Sequence, residues 1–143
     1  MTVNQISVFL ENKPGQLAEL TRALSENGIS LRALSIADTR DYGIARLMVD
    51  DPYKTALVLK EGGWVSKMTP VLAVQMPDQP GALEQILDVL ARSGIDLEYI
   101  YAFLSHKINS ACLVIRAENN EKAAKVLTEH GIALVSQEEL YKI

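Results

Sequence analysis

The chain has 143 residues, of which 48% are apolar and 22% charged, with a formal net charge of −4 and one cysteine. This composition is typical of a soluble globular protein of one domain or two small ones, and it argues against general disorder. The acidic balance argues against nucleic acid as a partner, and no apolar window approaches the ~18–20 residues of a membrane span. We expect no secretory signal and a cytoplasmic location, which suits a lone cysteine.

The chain repeats itself. An offset of 66 residues aligns similar segments of the two halves, and the offset becomes 68 past residue 50, which a two-residue insertion near residues 117–120 explains. The aligned pairs include Pro14-Gly15 with Pro80-Gly81, Gly28-Ile29 with Gly94-Ile95, Ala45 with Ala111, and Gly63 with Gly131. Because two copies are too few for a solenoid, we predict a duplicated small domain, with domain 1 at residues 1–68 and domain 2 at 69–143.

Each copy predicts the same order of elements. Apolar residues at helical spacing follow each Pro-Gly pair and predict a helix there. In copy one the pattern predicts strands at 6–10, 31–36, 45–49 and 65–68, with helices after Pro14-Gly15 and at 55–61. In copy two it predicts strands at 72–76, 97–104, 111–115 and 133–135, with helices after Pro80-Gly81 and at 121–129. Turns are predicted at 40–43 and 106–109, and a capping box at Ser136 predicts a short helix at 137–141. The fold class is therefore α+β: two ferredoxin-like βαββαβ units, with antiparallel sheets and helices on one face.

The second strand of copy two is apolar on both faces. Tyr99, Tyr101 and Phe103 alternate with Ile100 and Ala102. A strand that is apolar on both faces needs a cover on each, and the helices supply only one. The second cover would be another sheet, from a partner chain or from the other half, which leads us to expect a homodimer or a higher oligomer.

No residue pattern predicts catalysis. Cys112 alternates with apolar residues in a strand and is expected to be a packed structural thiol. His106 falls in a predicted turn, and His130 falls in the last turn of a helix, where a cation complements the helix dipole. No spacing typical of metal ligands or of a phosphate-binding loop occurs, so we expect no catalytic residue, no metal and no cofactor. The tyrosines of the second strand lack the basic signature of an RNA-binding surface.

The most informative motif is the loop between the first strand and the first helix of each copy. It runs through Asn12, Pro14, Gly15, Gln16 and Leu17 in copy one; its counterpart in copy two contains Asp78, Gln79, Pro80, Gly81, Ala82 and Leu83. Proline suits a first helical turn, and glycine lets another group approach the backbone closely. The exposed amides at such a helix start would bind a carboxylate.

An α-amino acid has a carboxylate and an ammonium group, and this loop offers a partner to each. The helix-start amides would bind its carboxylate, and Asp78 or Asn12 would accept from its ammonium group. The same residues also make a good turn and helix start with no ligand, so both interpretations stay open at this point.

The segment from Ile6 to Ile36 resembles the ACT domain, an amino-acid-sensing regulatory module, and copy two resembles it through Pro77-Asp78-Gln79-Pro80-Gly81 and Gly94-Ile95-Asp96-Leu97. The resemblance is greatest to the small regulatory subunit of acetohydroxyacid synthase and the regulatory domain of phosphoglycerate dehydrogenase. It implies a ligand held at an interface, by the first loop of one unit and the start of the second strand of its neighbour.

That implication places Ile29 and Ser30, or Ile95 and Asp96, opposite the loops. Apolar ligand contacts would come from Leu17, Ile29, Leu83 or Ile95. Ser30 stands where the resembling subunits often carry Asn, and Asp78 and Asp96 replace amides. The two sites therefore cannot be equivalent.

Together these observations predict a non-catalytic protein that binds a free amino acid at an ACT domain interface and acts as a regulator, with a metabolic enzyme as a candidate partner. The alternative is an interaction subunit that docks on a metabolic enzyme or transcription factor without a ligand of its own. A small enzyme of ferredoxin-like fold is a further alternative, which the lack of a catalytic constellation disfavours.

Overall fold

The computed structural model describes residues 1–38, 41–103, 109–140 and 142. The chain divides into two units: the N-terminal unit is Asn4–Thr69, and the C-terminal unit comprises Pro70–Ile143 together with Met1–Val3. That residues 1–68 and 69–143 are separate domains, each able to fold independently, stays a prediction. Leu104, His106 and parts of both predicted turns lie outside the described residues.

The N-terminal unit has the predicted βαββαβ order. Its elements are β1 (Val3–Glu11), α1 (Gln16–Glu26), β2 (Leu31–Asp38), β3 (Tyr42–Val49), α2 (Pro52–Glu61) and the first residues of β4 (Ser66–Pro77). The strand order is β2-β3-β1-β4, and β3 pairs antiparallel with both β1 and β2. This is the split βαβ arrangement, in which β3 lies between β1 and β2 in the sheet.

The C-terminal unit repeats this plan with a weaker last strand. It continues β4 and adds α3 (Ala82–Arg92), β5 (Leu97–Phe103), β6 (Ser110–Ala117), α4 (Asn120–Glu129) and α5 (Gln137–Leu140). The strand order is β4-β6-β5, with antiparallel pairing. Both units thus confirm the predicted α+β class.

Two predicted strand boundaries differ from the structure. The strands predicted at 65–68 and 72–76 are one continuous strand, β4, because the exposed Pro70 interrupts the sequence pattern without breaking the extended backbone. The strand predicted at 133–135 is a single bridge between Val74 and Leu134. It stops there because Ser136 begins α5: the Ser136 amide donates to Glu139 Oε2 at 2.8 Å and the Glu139 amide donates to Ser136 Oγ at 3.2 Å, which is the predicted capping box.

Each unit has its own core between its helices and its sheet. In the N-terminal unit Leu20 and Leu24 of α1 pack with Leu59 of α2 against apolar side chains of β1 and β3. The helical spacing of these leucines gives α1 one buried stripe, as the sequence predicts. The equivalent core of the C-terminal unit includes Ile86 and Leu90 of α3. The cores hold the loops at the starts of α1 and α3 in place.

The sheet face opposite the helices in the C-terminal unit is partly buried. Tyr101 and Phe103 of β5 lie directly opposite Val114 and Cys112 of β6, so all four share one face. Val114, Cys112 and Phe103 are buried within the single chain, and Tyr101 is half-buried. Burial of this face therefore does not by itself require a second copy, and the homodimer stays a prediction.

Candidate functional site

Both Pro-Gly loops end in the same unusual backbone conformation. Gly15 precedes α1 with φ 87° and ψ −12°, and Gly81 precedes α3 with φ 89° and ψ −13°. Non-glycine residues adopt this left-handed region only at a cost. A Cβ atom built on either glycine would meet nothing within 4 Å, so conformation rather than crowding explains the glycine. The protein's own atoms therefore leave this side of each loop open.

The helix starts carry no side-chain cap. Neither Gly15 nor Gly81 offers a side chain to the first-turn amides, whereas α2 and α4 are capped by Asp51 and Asn119. The first four N–H groups of a helix have no partner within it, so at α1 and α3 they stay available to water or to a ligand.

The first of these amides is partly used by the loop itself. The Gln16 amide donates to the Lys13 carbonyl at 3.3 Å, and the Ala82 amide donates to the Gln79 carbonyl at the same distance. The intrahelical hydrogen bonds begin with Glu19 and Gln85, whose amides donate to the carbonyl oxygens of Gly15 and Gly81. The amides that remain are those of Leu17 and Ala18 and of Leu83 and Glu84. Sequence reasoning missed Ala18 and Glu84, although counting four amides from the glycine would have found them.

Asn12 and Asp78 occupy matching places at the loop entrances. The Asn12 amide donates to the Asp41 carbonyl at 3.2 Å, and the Asp78 amide donates to the Asn109 carbonyl at 3.0 Å. Asp41 and Asn109 immediately precede β3 and β6. Each loop is thus tied through its backbone to the start of the third strand of its unit, and both residues are exposed.

In the N-terminal unit the loop residues line a small cleft. Asn12, Gln16 and Leu17 surround it with Ile36 of β2 and Gly43 of β3, and its volume is about 160 Å³. Pockets that enclose small molecules usually have ~300–1,000 Å³. This cleft is therefore smaller than the pockets that hold drug-sized ligands. The structure does bring together three of the predicted site residues here.

The predicted residues at the start of the second strand lie elsewhere in each unit. Ile29 and Ser30 follow the end of α1, and an eleven-residue helix is ~16 Å long, so they stand at the far end from the loop. Ser30 is bonded there: its amide donates to Asp50 Oδ1 at 2.9 Å and its carbonyl accepts from the Asp50 amide at 3.1 Å. Within one unit the two halves of the predicted site are therefore not brought together.

The isoleucines of the predicted site need a correction. Ile29 and Ile95 are 7% and 9% exposed and belong to the cores of their own units. Their side chains are therefore unavailable to a ligand, and only their backbone can contribute. Sequence reasoning placed them by their position next to Ser30 and Asp96, but in each unit the chain turns so that the isoleucine points inward. Asp96 itself is exposed, and its carbonyl accepts from the Glu118 amide at 3.1 Å.

The remaining reactive residues have structural roles. Cys112 is buried, and burial raises the pKa of its thiol to about 12, which keeps it protonated and unreactive. His130 is exposed, and its Nδ1 lies 2.9 Å from the Val126 carbonyl oxygen at the end of α4. Within the described residues, no group of three or more His, Cys, Asp or Glu is placed to hold a metal ion. In that same part of the chain no helix is long and apolar enough to cross a bilayer.

Comparisons with known proteins agree with this architecture. The family model described as "ACT domain pair" matches residues 1–143. The crystal structure of protein BT0572 from Bacteroides thetaiotaomicron is similar, with a TM-score of 0.93 and 40% identity over 100% of this chain and 98% of that chain. A comparison with curated protein sequences found no match.

More distant solved structures share the fold. The regulatory subunit of aspartate kinase from Thermus thermophilus, in its ligand-free form, has a TM-score of 0.63 at 18% identity, and the one from Thermus flavus has 0.60 at 19%. Each match covers 88% of this chain and 90% of the other.

The chain therefore belongs to the family of ACT domain pairs. ACT domain pairs are typically ligand-binding regulatory modules rather than catalytic domains, and this is the class that the duplicated fold defines.

Proposed function

We propose that the protein is a non-catalytic cytoplasmic regulator that binds a free α-amino acid through its two Pro-Gly loops. The observation that carries this proposal is the duplicated helix start without a side-chain cap at Gly15 and Gly81. Positively polarised amides at a helix start favour a carboxylate, and the N-cap residues Gly15 and Gly81 have no side chain to satisfy them first.

The loop entrances supply the second half of the recognition. Asp78 would accept a charge-assisted hydrogen bond from the ligand's ammonium group, and Asn12 would accept a neutral one. Leu17 and Leu83 are 37% and 40% exposed next to these amides, so they offer an apolar contact to the ligand's side chain. These contacts match an amino acid with a modest apolar or polar side chain.

The small volume of the cleft supports binding at an interface. The cleft of about 160 Å³ at the N-terminal loop is small, and Ser30 and Asp96 stand at the opposite helix ends from the loops of their own units. A loop from one unit and a second-strand start from a neighbouring unit would together enclose the ligand. The neighbour would belong to the same chain or to a second copy in a homodimer. Ligand binding would then favour one arrangement of units over another, which is how such a module signals.

A second candidate function rests on exposed apolar residues beside the loops. Leu34 and Ile36 of β2 are exposed, as are Leu83 and Leu87 of α3. Each pair gives its own unit exposed apolar area, which also suits docking on a metabolic enzyme or transcription factor without any ligand.

Calorimetry and thermal shift with each of the twenty amino acids at millimolar concentration test the proposal. We expect one or a few amino acids to raise the melting temperature, and the Leu17→Ala and Leu83→Ala variants to report which unit contributes. Leu57→Ala on the exposed face of α2 is the matched control, since Leu57 lies away from both loops. If no amino acid binds the wild-type protein, the proposal fails and the docking function gains support.

A further inference from the structure

A second cleft in the N-terminal unit, which we call the aromatic cleft, borders the β1–α1 loop. Its lining includes Phe9, Glu11, Lys13, Glu19, Tyr42 and Trp64, and its volume is about 470 Å³. This volume falls within the ~300–1,000 Å³ of pockets that hold small molecules. Of the residues predicted for the amino-acid site, Gln16 also lines this cleft.

Three aromatic rings line this cleft without being buried in the core. The centroids of Phe9 and Tyr42 are 6.4 Å apart with an interplanar angle of 37°, and the two side chains are 51% and 49% exposed. Trp64 is half-buried, and its Cδ1 would lie 3.0 Å from a Cβ atom added to Gly62. The glycine therefore gives the indole room against the backbone, and Trp64 both packs against the core of the N-terminal unit and contributes to the lining of the cleft.

The charges of the lining favour a cation. Glu11 and Glu19 contribute two carboxylates and Lys13 one ammonium, so the lining has a net charge of −1. Lys13 Nζ lies 2.6 Å from Glu11 Oε2, so Glu11 is already paired with an ammonium group, and a ligand cation would compete with Lys13 for it. A hydrogen bond to Glu11 raises the pKa of Lys13, so that ammonium stays charged.

The duplication shows that the fold does not need these residues. The offsets of 66 and 68 place Gln75 opposite Phe9, Pro77 opposite Glu11, Gln85 opposite Glu19 and Ile132 opposite Trp64. The corresponding cleft of the C-terminal unit is lined by these residues and, within its described part, by no Phe, Tyr or Trp. The aromatic and acidic lining is therefore a feature of one unit and not a requirement of the architecture.

We propose that the aromatic cleft binds a small organic cation, with its ammonium group held against the rings of Phe9, Tyr42 and Trp64 and the carboxylates of Glu11 and Glu19. The negative face of an aromatic ring attracts a cation within ~6 Å of the centroid, and Trp does so best. Carboxylates at the rim add a longer-range attraction that salt screens.

Trp64 is the protein's only tryptophan, so its fluorescence reports on this cleft directly. The probes are choline and tetramethylammonium, and the matched uncharged probe is 3,3-dimethyl-1-butanol, which has the shape of choline without its charge. We expect saturable changes in fluorescence and a calorimetric signal with both cations, and binding of the alcohol weaker by about 2- to 30-fold. The proposal is overturned if choline and the alcohol bind equally. It is also overturned if neither cation binds at a salt concentration 50-fold below the physiological one.

Variants locate the site. Phe9→Leu, Tyr42→Leu and Glu19→Gln should each weaken choline binding, and Lys13→Gln should strengthen it by removing the competing ammonium. Tyr53→Leu is the matched control, because Tyr53 is an exposed tyrosine of α2 outside the cleft. Choline binding that survives the Phe9→Leu and Tyr42→Leu changes combined, in a protein whose circular dichroism is unchanged, places the cation elsewhere and overturns the proposal. Leu83→Ala should leave choline binding intact, which separates this test from that of the amino-acid proposal.

Discussion

Gly15 and Gly81 adopt the same backbone conformation at equivalent places in the two units, with φ of 87° and 89°. Their neighbours differ, since Gln16 follows one and Ala82 follows the other. The shared feature is therefore the left-handed turn that leads into α1 and α3, which a residue other than glycine would adopt only with backbone strain.

Replacing Gly15 or Gly81 by alanine should lower the free energy of unfolding by about 1–2 kcal/mol. The loss comes from backbone strain alone, because an added Cβ has open space at both positions. Urea denaturation measures it. Gly15→Asn is the matched control and should cost less, because asparagine tolerates this conformation. Alanine variants as stable as the wild type would show that the turn relaxes without cost.

The caps of α2 and α4 should each stabilise the protein by about 1 kcal/mol. Asp51 accepts from the Lys54 amide at 3.0 Å, and Asn119 accepts from the Lys122 amide at 3.0 Å. Asp51→Ala and Asn119→Ala remove these bonds and should lower the midpoint of urea denaturation. Asp51→Asn keeps an acceptor and should lose little. Equal losses for Asp51→Ala and Asp51→Asn would show that the charge of Asp51 matters and the hydrogen bond does not.

Cys112 should resist alkylation in the folded protein. Burial raises the pKa of its thiol to about 12, so the reactive thiolate is scarce at pH 8. Iodoacetamide should therefore label the native protein at least ~100-fold more slowly than the protein in denaturant, where the pKa returns to about 8.5. Rapid labelling of the native protein would show that the strand around Cys112 opens locally.

The same thiol makes stability depend on alkaline pH. The folded pKa is above the unfolded one, so the folded state keeps the proton when the unfolded state has lost it. The contribution is fully present below about pH 8.5 and is lost as the pH rises toward 12. Cys112→Ala should show a smaller fall in stability across this range than the wild type, as measured by denaturation at several pH values. If the stability of the two proteins falls equally with rising pH, the Cys112 thiol is not the cause of the fall.

The two loops should differ in how strongly they bind an ammonium group. Asp78 offers a carboxylate and Asn12 an amide oxygen, and a charged hydrogen bond exceeds a neutral one by about 1 kcal/mol. Asp78→Asn should therefore weaken amino-acid binding at the C-terminal unit by about 5-fold, and Asn12→Asp should strengthen it at the N-terminal unit by a similar factor. Calorimetry measures both. The corresponding carboxylic acid without its amino group is the control ligand, and its affinity should fall on Asn12→Asp.

Local sequence determined most of the elements. The spacing of Leu20 and Leu24 and the repeat of Pro14-Gly15 at Pro80-Gly81 depend only on near neighbours along the chain, and the duplication allowed one copy to check the other. The glycines after α1 and α3, Gly28 and Gly94, have φ of 67° and 66°, as their position at a helix end predicts. Local sequence did not predict that β4 continues through Pro70. A proline ends a strand only where its absent N–H would have had to donate to a neighbouring strand, and that depends on the tertiary structure.

The sequence by itself thus determined the duplicated α+β fold, the family and the two loops, since each is written in residues a few positions apart. Only the tertiary structure decided that Ile29 and Ile95 point into the cores and that the loops lie at the opposite helix ends from Ser30 and Asp96. It alone also assembled Phe9, Tyr42 and Trp64 around one cleft. These three residues are far apart in the chain, and the pairing of β1 with β3 and the turn after α2 bring them together, which no local pattern records.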